Sequence, residues 1–209
     1  MSTPARPALR ADAERNRERV TAAARLMFAE HGLGVPLEDV ARQAGVGVAT
    51  LYRRFPTRED LVAAAYEDGM TAYADAVAAA LDDPDSWRGF CDLLERLCAM
   101  QAADRGLAEA LTTAFPGARA LEAQRDRAYH GLVELVSRAK VAGRLRRDFV
   151  PEDVTVLLAA AAGVASAPPA WRRLLAYLLQ AFAVPGTTPE TAPLPEPPAR
   201  GALLRGMTR

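Results

Sequence analysis

Tyr52, Arg53 and Arg54 stand in a row behind three small residues, Val48, Ala49 and Thr50, and the bare backbone of Gly47. Thr57 and Arg58 follow closely. These residue types suit a polyanion with readable edges. Guanidinium groups bind phosphate oxygens and the O6/N7 edge of guanine. Small side chains let the first turn of a helix enter the major groove, and a glycine just before it leaves backbone N–H groups free to approach a phosphate. Double-stranded DNA is the partner such a stretch fits. Taken singly, an arginine pair is usually a solvated helix face and a tyrosine is often packing. Within this cluster, phosphate and guanine recognition are the tasks that place arginine at positions 53 and 54.

A pair of short helices, about Leu37–Ala44 and Val48–Phe55, must position these groups. Where two such helices cross, a small residue is needed, and Ala41 supplies it; the turn needs a residue that tolerates positive φ, and Gly45 supplies it four positions later. Val40, Val46 and Leu51 then fall where the pair packs against a preceding helix, which the apolar series Val20, Ala23, Ala24, Met27, Phe28 defines from about Ala13. Residues 1–12 read as a mobile arm. Pro56 stops the second helix, and Thr57 with Asp60 forms a near match to a capping box for the next. Downstream, Pro and Gly punctuate a helix with the stripe Trp87, Phe90, Cys91, Leu94, Leu97, Cys98, a short helix ending at Phe115, and long helices over about 118–142, 151–165 and 170–183. No segment shows strand alternation, so the chain is expected to be all-α. Residues 184–209 hold six of the fifteen prolines and read as a disordered tail.

Lys plus Arg and Asp plus Glu both number 26, which excludes a globally basic coat; residues 1–67, with ten arginines against nine acids, are near neutral too. Any DNA contact is therefore a local patch. Two cysteines in 209 residues make no disulfide framework and fit a reducing cytosol, and the first ten residues carry no secretory apolar run. The uncharged stretch 154–170 is too rich in alanine, and too broken by Gly163 and Pro168-Pro169, to span a membrane. A cytoplasmic protein is expected. Two histidines, no Ser/His/Asp arrangement, no phosphate loop and no metal spacing leave an enzyme, a cofactor or a metal without support. Cys91 and Cys98 read as core.

Phe28-Ala29-Glu30-His31-Gly32, followed by AGVGVATLYRRFPTREDL over residues 44–61, resembles the N-terminal domain of the TetR family of transcriptional regulators. RGLAEALTTAFPG and AGRLRRDFVPEDV also resemble its SbtR-like branch. The resemblance implies an N-terminal three-helix helix-turn-helix domain over residues 1–58, an effector and dimerisation domain over 59–183, and a ligand-responsive homodimeric repressor on a palindromic operator. By that resemblance Val48, Ala49, Thr50 and Arg53 face base edges, and Tyr52, Arg54, Thr57 and Arg58 hold phosphates. Pro36 and Gly47 stand where many relatives carry a hydroxyl. The surplus apolar residues of 151–183, among them Leu157, Leu158, Trp171, Leu175, Leu178 and Phe182, are expected to bury against a second copy. Trp87, Phe90, Cys91, Met100, Phe115, Arg125 and Tyr129 are the candidate lining of a pocket for an unidentified hydrophobic or amphipathic effector, although an aromatic stripe at helical spacing is more often plain core. A helical adaptor that binds only protein is the alternative, and it leaves the pattern from Gly47 to Arg58 unexplained.

Overall fold

The computed structural model describes residues 6–115, 117–165, 168–187 and 194–199. Among these residues the chain forms nine helices and no strand: α1 (Arg6–His31), α2 (Leu37–Ala44), α3 (Val48–Arg54), α4 (Arg58–Leu81), α5 (Ser86–Ala103), α6 (Arg105–Thr112), α7 (Arg119–Val141), α8 (Glu152–Ala162) and α9 (Pro168–Phe182). The all-α expectation is met. The local chemistry explains the boundaries. Gly32 and Gly45 end α1 and α2 at φ 81° and 63°, values open to glycine and strained for other residues. The Thr57 hydroxyl accepts from the Asp60 N–H while the Asp60 carboxylate accepts from the Thr57 N–H, a complete capping box. Asp85 caps α5 and Asp104 caps α6. One expectation is corrected: the arm assigned to residues 1–12 is helical from Arg6. Pro7 falls in the first turn, where a missing N–H breaks no helical bond.

Two apolar clusters organise the helices. The first gathers Val20, Phe28, Val40, Leu51, Phe55, Leu61, Tyr66 and Met70, and is closed by Leu107, Phe115 and Leu121 from α6, the α6–α7 connection and α7. The second gathers Val77, Trp87, Phe90, Leu94, Leu97, Leu135, Phe149, Leu157 and Trp171. Each fully buried large side chain contributes about 1.5–3 kcal/mol relative to exposure. α4 enters both clusters, which change over between Met70 and Ala74, some way past residue 58. Close approaches fix the packing: a Cβ at Gly131 would lie 2.7 Å from the Val77 Cγ1, and one at Gly106 would overlap the Tyr66 hydroxyl and Phe28.

The C-terminal helices differ in part from expectation. Leu157, Leu158, Ala161, Trp171 and Leu175 are already buried within the chain's own core. The outward apolar groups are Val156 and Tyr177, at 68% and 49% exposure, with Leu174 and Leu178 half-buried beside Tyr177 on α9. After α9, Ala183 bridges Leu145 and the Val184 N–H donates to the Arg144 carbonyl at 2.9 Å. Of the expected tail, 188–193 and 200–209 lie outside the described residues; the Pro195 carbonyl accepts from Arg173 at 2.6 Å.

Candidate nucleic-acid interface

α3 is held by its inner face. Leu51 and Phe55, at 0% and 1% exposure, seat it in the first cluster, and the Arg17 guanidinium lies 5.4 Å from the centre of the Phe55 ring. The turn before it is held from α1, where Arg19 donates to the Ala44 carbonyl at 2.5 Å and the Gly45 carbonyl at 3.2 Å. The Val46 N–H returns to the Ala41 carbonyl. Gly47 opens α3 in extended conformation with no side-chain cap, so no capping side chain takes up the N–H groups of the first turn.

The outer face of α3 carries the residues singled out above. Gly47, Val48, Ala49, Tyr52, Arg53 and Arg54 are exposed, and Thr50 is half-buried. Val48 and Tyr52, at 38% and 43% exposure, are among the largest apolar side chains left open to solvent. Neither Arg53 nor Arg54 forms a side-chain ion pair among the described residues, in contrast to Arg42, which pairs with Asp39 on α2. An exposed helix face with two free guanidiniums, a phenol and a small-residue leading edge can bind phosphates and reach base edges at once.

Thr57 and Arg58 sit differently. The Thr57 hydroxyl is engaged with Asp60 in the capping box. Arg58 is half-buried, and its Nη1 donates to the Leu33 carbonyl at 2.6 Å and the Val35 carbonyl at 2.7 Å. It therefore ties the start of α4 to the α1–α2 loop. From the other side the Leu33 N–H donates to the Glu109 carboxylate of α6 at 2.7 Å, and Glu109 pairs with Arg105 at 3.2 Å. The Tyr66 hydroxyl of α4 donates to Asp104, the cap of α6, at 2.9 Å. Burial and the neighbouring carboxylate push this phenol well above its ordinary titration range, so it stays a donor. Glu109, Asp104 and Tyr66 were not singled out from sequence. Only the cap position of Asp104 carried a readable signal.

The residues expected to line a pocket lie in several places, and none of them lines the two clefts described below. Phe90 is fully buried, stacked 5.7 Å from Trp87 and edge-on to Phe149 at 5.5 Å. Half-buried Cys91 and Met100 pack against the second cluster, and Phe115 belongs to the first. Arg125 pairs with Glu122 at 2.9 Å and donates to the Ala110 and Thr113 carbonyls at 2.6 Å, clamping the α6–α7 connection. Tyr129 is exposed and donates to Glu152 at 2.8 Å. The physical reason is Phe149: it arrives from a loop distant in sequence and fills the space beside Phe90. Burial holds Cys91 and Cys98 protonated, their thiols pushed up to about 12. Open space lies elsewhere. One cleft of about 420 Å³ runs between α1, α4 and α7 past Arg54 and Gln124. Another, of about 670 Å³, lies behind α6 against α5 and α8, and Gln101 stands on its wall. Among the described residues no helix is long and apolar enough to cross a membrane.

Comparison with known proteins matches both halves of the chain. Residues 20–65 match the family model for bacterial regulatory proteins of the TetR family, and residues 83–182 that for the C-terminal domain of SbtR-like transcriptional regulators. A helix-turn-helix-type transcriptional regulator of Staphylococcus aureus is 37% identical over 54 residues, which span 25% of this chain and 29% of that relative. The crystal structure of a TetR transcription regulatory protein from Mycobacterium vanbaalenii is 32% identical, covering 84% of this chain and 99% of the other at a TM-score of 0.50. A complex of SmeT with triclosan shares the fold at 22% identity and a TM-score of 0.53, covering 87% of this chain and 99% of the other.

Proposed function

Because this chain belongs to the TetR family of transcriptional regulators, with an SbtR-like second half, we propose that it is a ligand-responsive homodimeric repressor. Its helix-turn-helix is a DNA-binding element, and the matched families are regulators rather than enzymes. In this reading residues 1–58 read DNA and residues 59–183 sense an effector and dimerise. The observation that carries it is the outer face of α3: Val48, Ala49, Tyr52, Arg53 and Arg54 exposed together on a helix whose inner face is fixed by Leu51 and Phe55. Val48, Ala49, Thr50 and Arg53 meet base edges. Tyr52, Arg54 and the open N–H groups after Gly47 meet phosphates. Thr57 and Arg58 hold the frame that presents them.

Two copies pair through α8 and α9, where Val156 and Tyr177 remain exposed. Pairing sets two α3 helices about 34 Å apart, one turn of DNA, so the operator is a palindrome. The effector is a hydrophobic or amphipathic small molecule; that a structure of the same fold was solved with triclosan supports this class. Gating runs through α6, which holds the α1–α2 loop by Glu109 and α4 by Asp104. A hundredfold loss of operator affinity requires an effector preference of about 2.7 kcal/mol for the DNA-incompetent arrangement, within ordinary coupling.

Selection of binding sequences from a random duplex library by the full chain tests the proposal. Enrichment of a twofold-symmetric sequence with half-sites one helical turn apart is expected. Enrichment of single unpaired half-sites, or a monomer by light scattering at micromolar concentration, refutes the dimeric reader. Absence of salt-sensitive binding to any duplex favours an adaptor that binds only protein.

A further inference from the structure

Residues 194–199, Leu-Pro-Glu-Pro-Pro-Ala, are fastened to the middle of α9. Proline fixes φ and lacks an N–H, so such a run favours the polyproline-II helix, with three residues per turn and carbonyls that no internal bond uses. The burial pattern has that repeat: Pro195 and Pro198 are half-buried, together with Leu194, while Glu196, Pro197 and Ala199 face solvent. The Pro195 carbonyl accepts from the Arg173 Nη1 at 2.6 Å. The same guanidinium stands over the Tyr177 ring, 5.6 Å from its centre, and its Nη2 donates to the Tyr177 hydroxyl at 3.3 Å. A donor beside an aromatic face is the arrangement that recognises proline-rich segments. Arg173 and Tyr177 stand one turn apart on the side of α9 opposite the buried Trp171 and Leu175. That outward ridge is the side α9 offers to a second copy in the pairing proposed above.

We propose that residues 194–199 form a strap on the Arg173–Tyr177 ridge of α9 and compete there with a second copy of the chain, so that pairing requires the strap to lift. The inference rests on the dimeric reading above and adds an occupant for the ridge when the chain is unpaired. The strap is tethered to the helix it covers, so its seating does not weaken on dilution, whereas pairing does. Two straps must lift for each dimer. A strap seated about three times as often as it is free therefore weakens pairing by more than about tenfold. The effect falls on pairing at low concentration and carries through to DNA, because only a pair spans both half-sites.

The dimer constant of the DNA-free full-length chain, measured by sedimentation with fluorescence detection from nanomolar to micromolar concentration, is compared with that of a full-length chain carrying Leu194→Gly, Pro195→Gly and Pro198→Gly. Among the described residues, none beyond Ala183 belongs to either apolar cluster, so these changes leave the core intact. The glycine chain loses the apolar contacts and the stiffness of the strap, and should pair at least about tenfold more tightly. A synthetic peptide of residues 194–199, added at millimolar concentration, should weaken its pairing again, and Arg173→Ala in the glycine background should remove the peptide's effect. Equal constants for the two chains, weaker pairing of the glycine chain, or a peptide that leaves its dimer unchanged would each overturn the competition and leave the dimeric reading standing. Monomers of both chains throughout the series would overturn the dimeric reading, and the competition with it.

Discussion

Replacing Arg58 by alanine removes two hydrogen bonds from a charged donor to the Leu33 and Val35 carbonyls, at 2.6 and 2.7 Å. Hydrogen bonds to charged groups contribute about 1.5–3 kcal/mol each in buried settings. Here the guanidinium is half-buried, and water replaces part of the loss, so the expected cost is roughly 1–2 kcal/mol. For a chain of this size that lowers Tm by roughly 2–8 °C. The loosened loop joins α1 to α2, so affinity should fall for every DNA sequence alike. The dependence of log K on log salt should keep its slope, because no phosphate contact is lost. Arg54→Ala is the contrast: its exposed side chain supports nothing inside the fold, so Tm should hold while the salt slope becomes shallower by about 0.9 per protomer. Fluorescence anisotropy across a salt series, with melting curves on the same samples, measures both. If Arg58→Ala flattens the slope as Arg54→Ala does and leaves Tm unchanged, Arg58 reaches a phosphate and the framework role is wrong.

Arg53→Ala should weaken specific binding by about 1–3 kcal/mol and relax base preference at one position per half-site, read by competition with operators substituted base by base. Gly106→Ala should destabilise the chain by about 1–3 kcal/mol in thermal melts, because a Cβ there overlaps Tyr66 and Phe28 and pushes α6 off α1. Cys91 and Cys98 should resist DTNB at pH 8 in the native chain and react on denaturation, since their folded thiols are pushed up to about 12. The unfolded thiol ionises first, near the ordinary value of 9.0. The buried neutral thiols therefore favour the fold fully below pH 9, and that contribution is lost progressively as pH rises towards 12, visible as a falling Tm.

The local punctuation of the chain was legible. Gly32, Gly45, Pro56 and the Thr57–Asp60 pair mark helix ends by backbone rules that need no tertiary partner. Pro7 misled for the same reason, since a proline marks a break inside a helix and nothing at its start. The outward face of α3 was legible because the buried Leu51 and Phe55 leave only one side for Tyr52, Arg53 and Arg54. The second half was less so. Trp87 and Phe90 show the same spacing whether they line a void or fill one, and Phe149 decides it from nearly sixty residues away. The same limit applies to Arg58, and to Arg125 beyond its pair with Glu122, because their other partners are backbone carbonyls that no residue type announces. Gln101 did leave a trace: it lies seven positions after Leu94 and four after Leu97, a lone amide on a buried stripe.

The α1–α2 loop is fastened twice, by Arg58 from the reading head's own α4 and by Glu109 from α6. Leu107, Phe115 and Leu121 close the core of that head from the same quarter. Modularity is therefore lower than the order of the chain implies. A head excised after residue 58 leaves behind Leu61, Tyr66 and Met70 as well as the α6 contacts, and such a fragment should not hold its shape. Grafting a foreign head onto this second half requires its glycine at the Gly32 position, where φ is 81° and a Cβ would strike Glu109. It also requires a backbone N–H placed to meet that carboxylate. The unit that can be exchanged between relatives, by recombination or by the engineer, is the head together with α6.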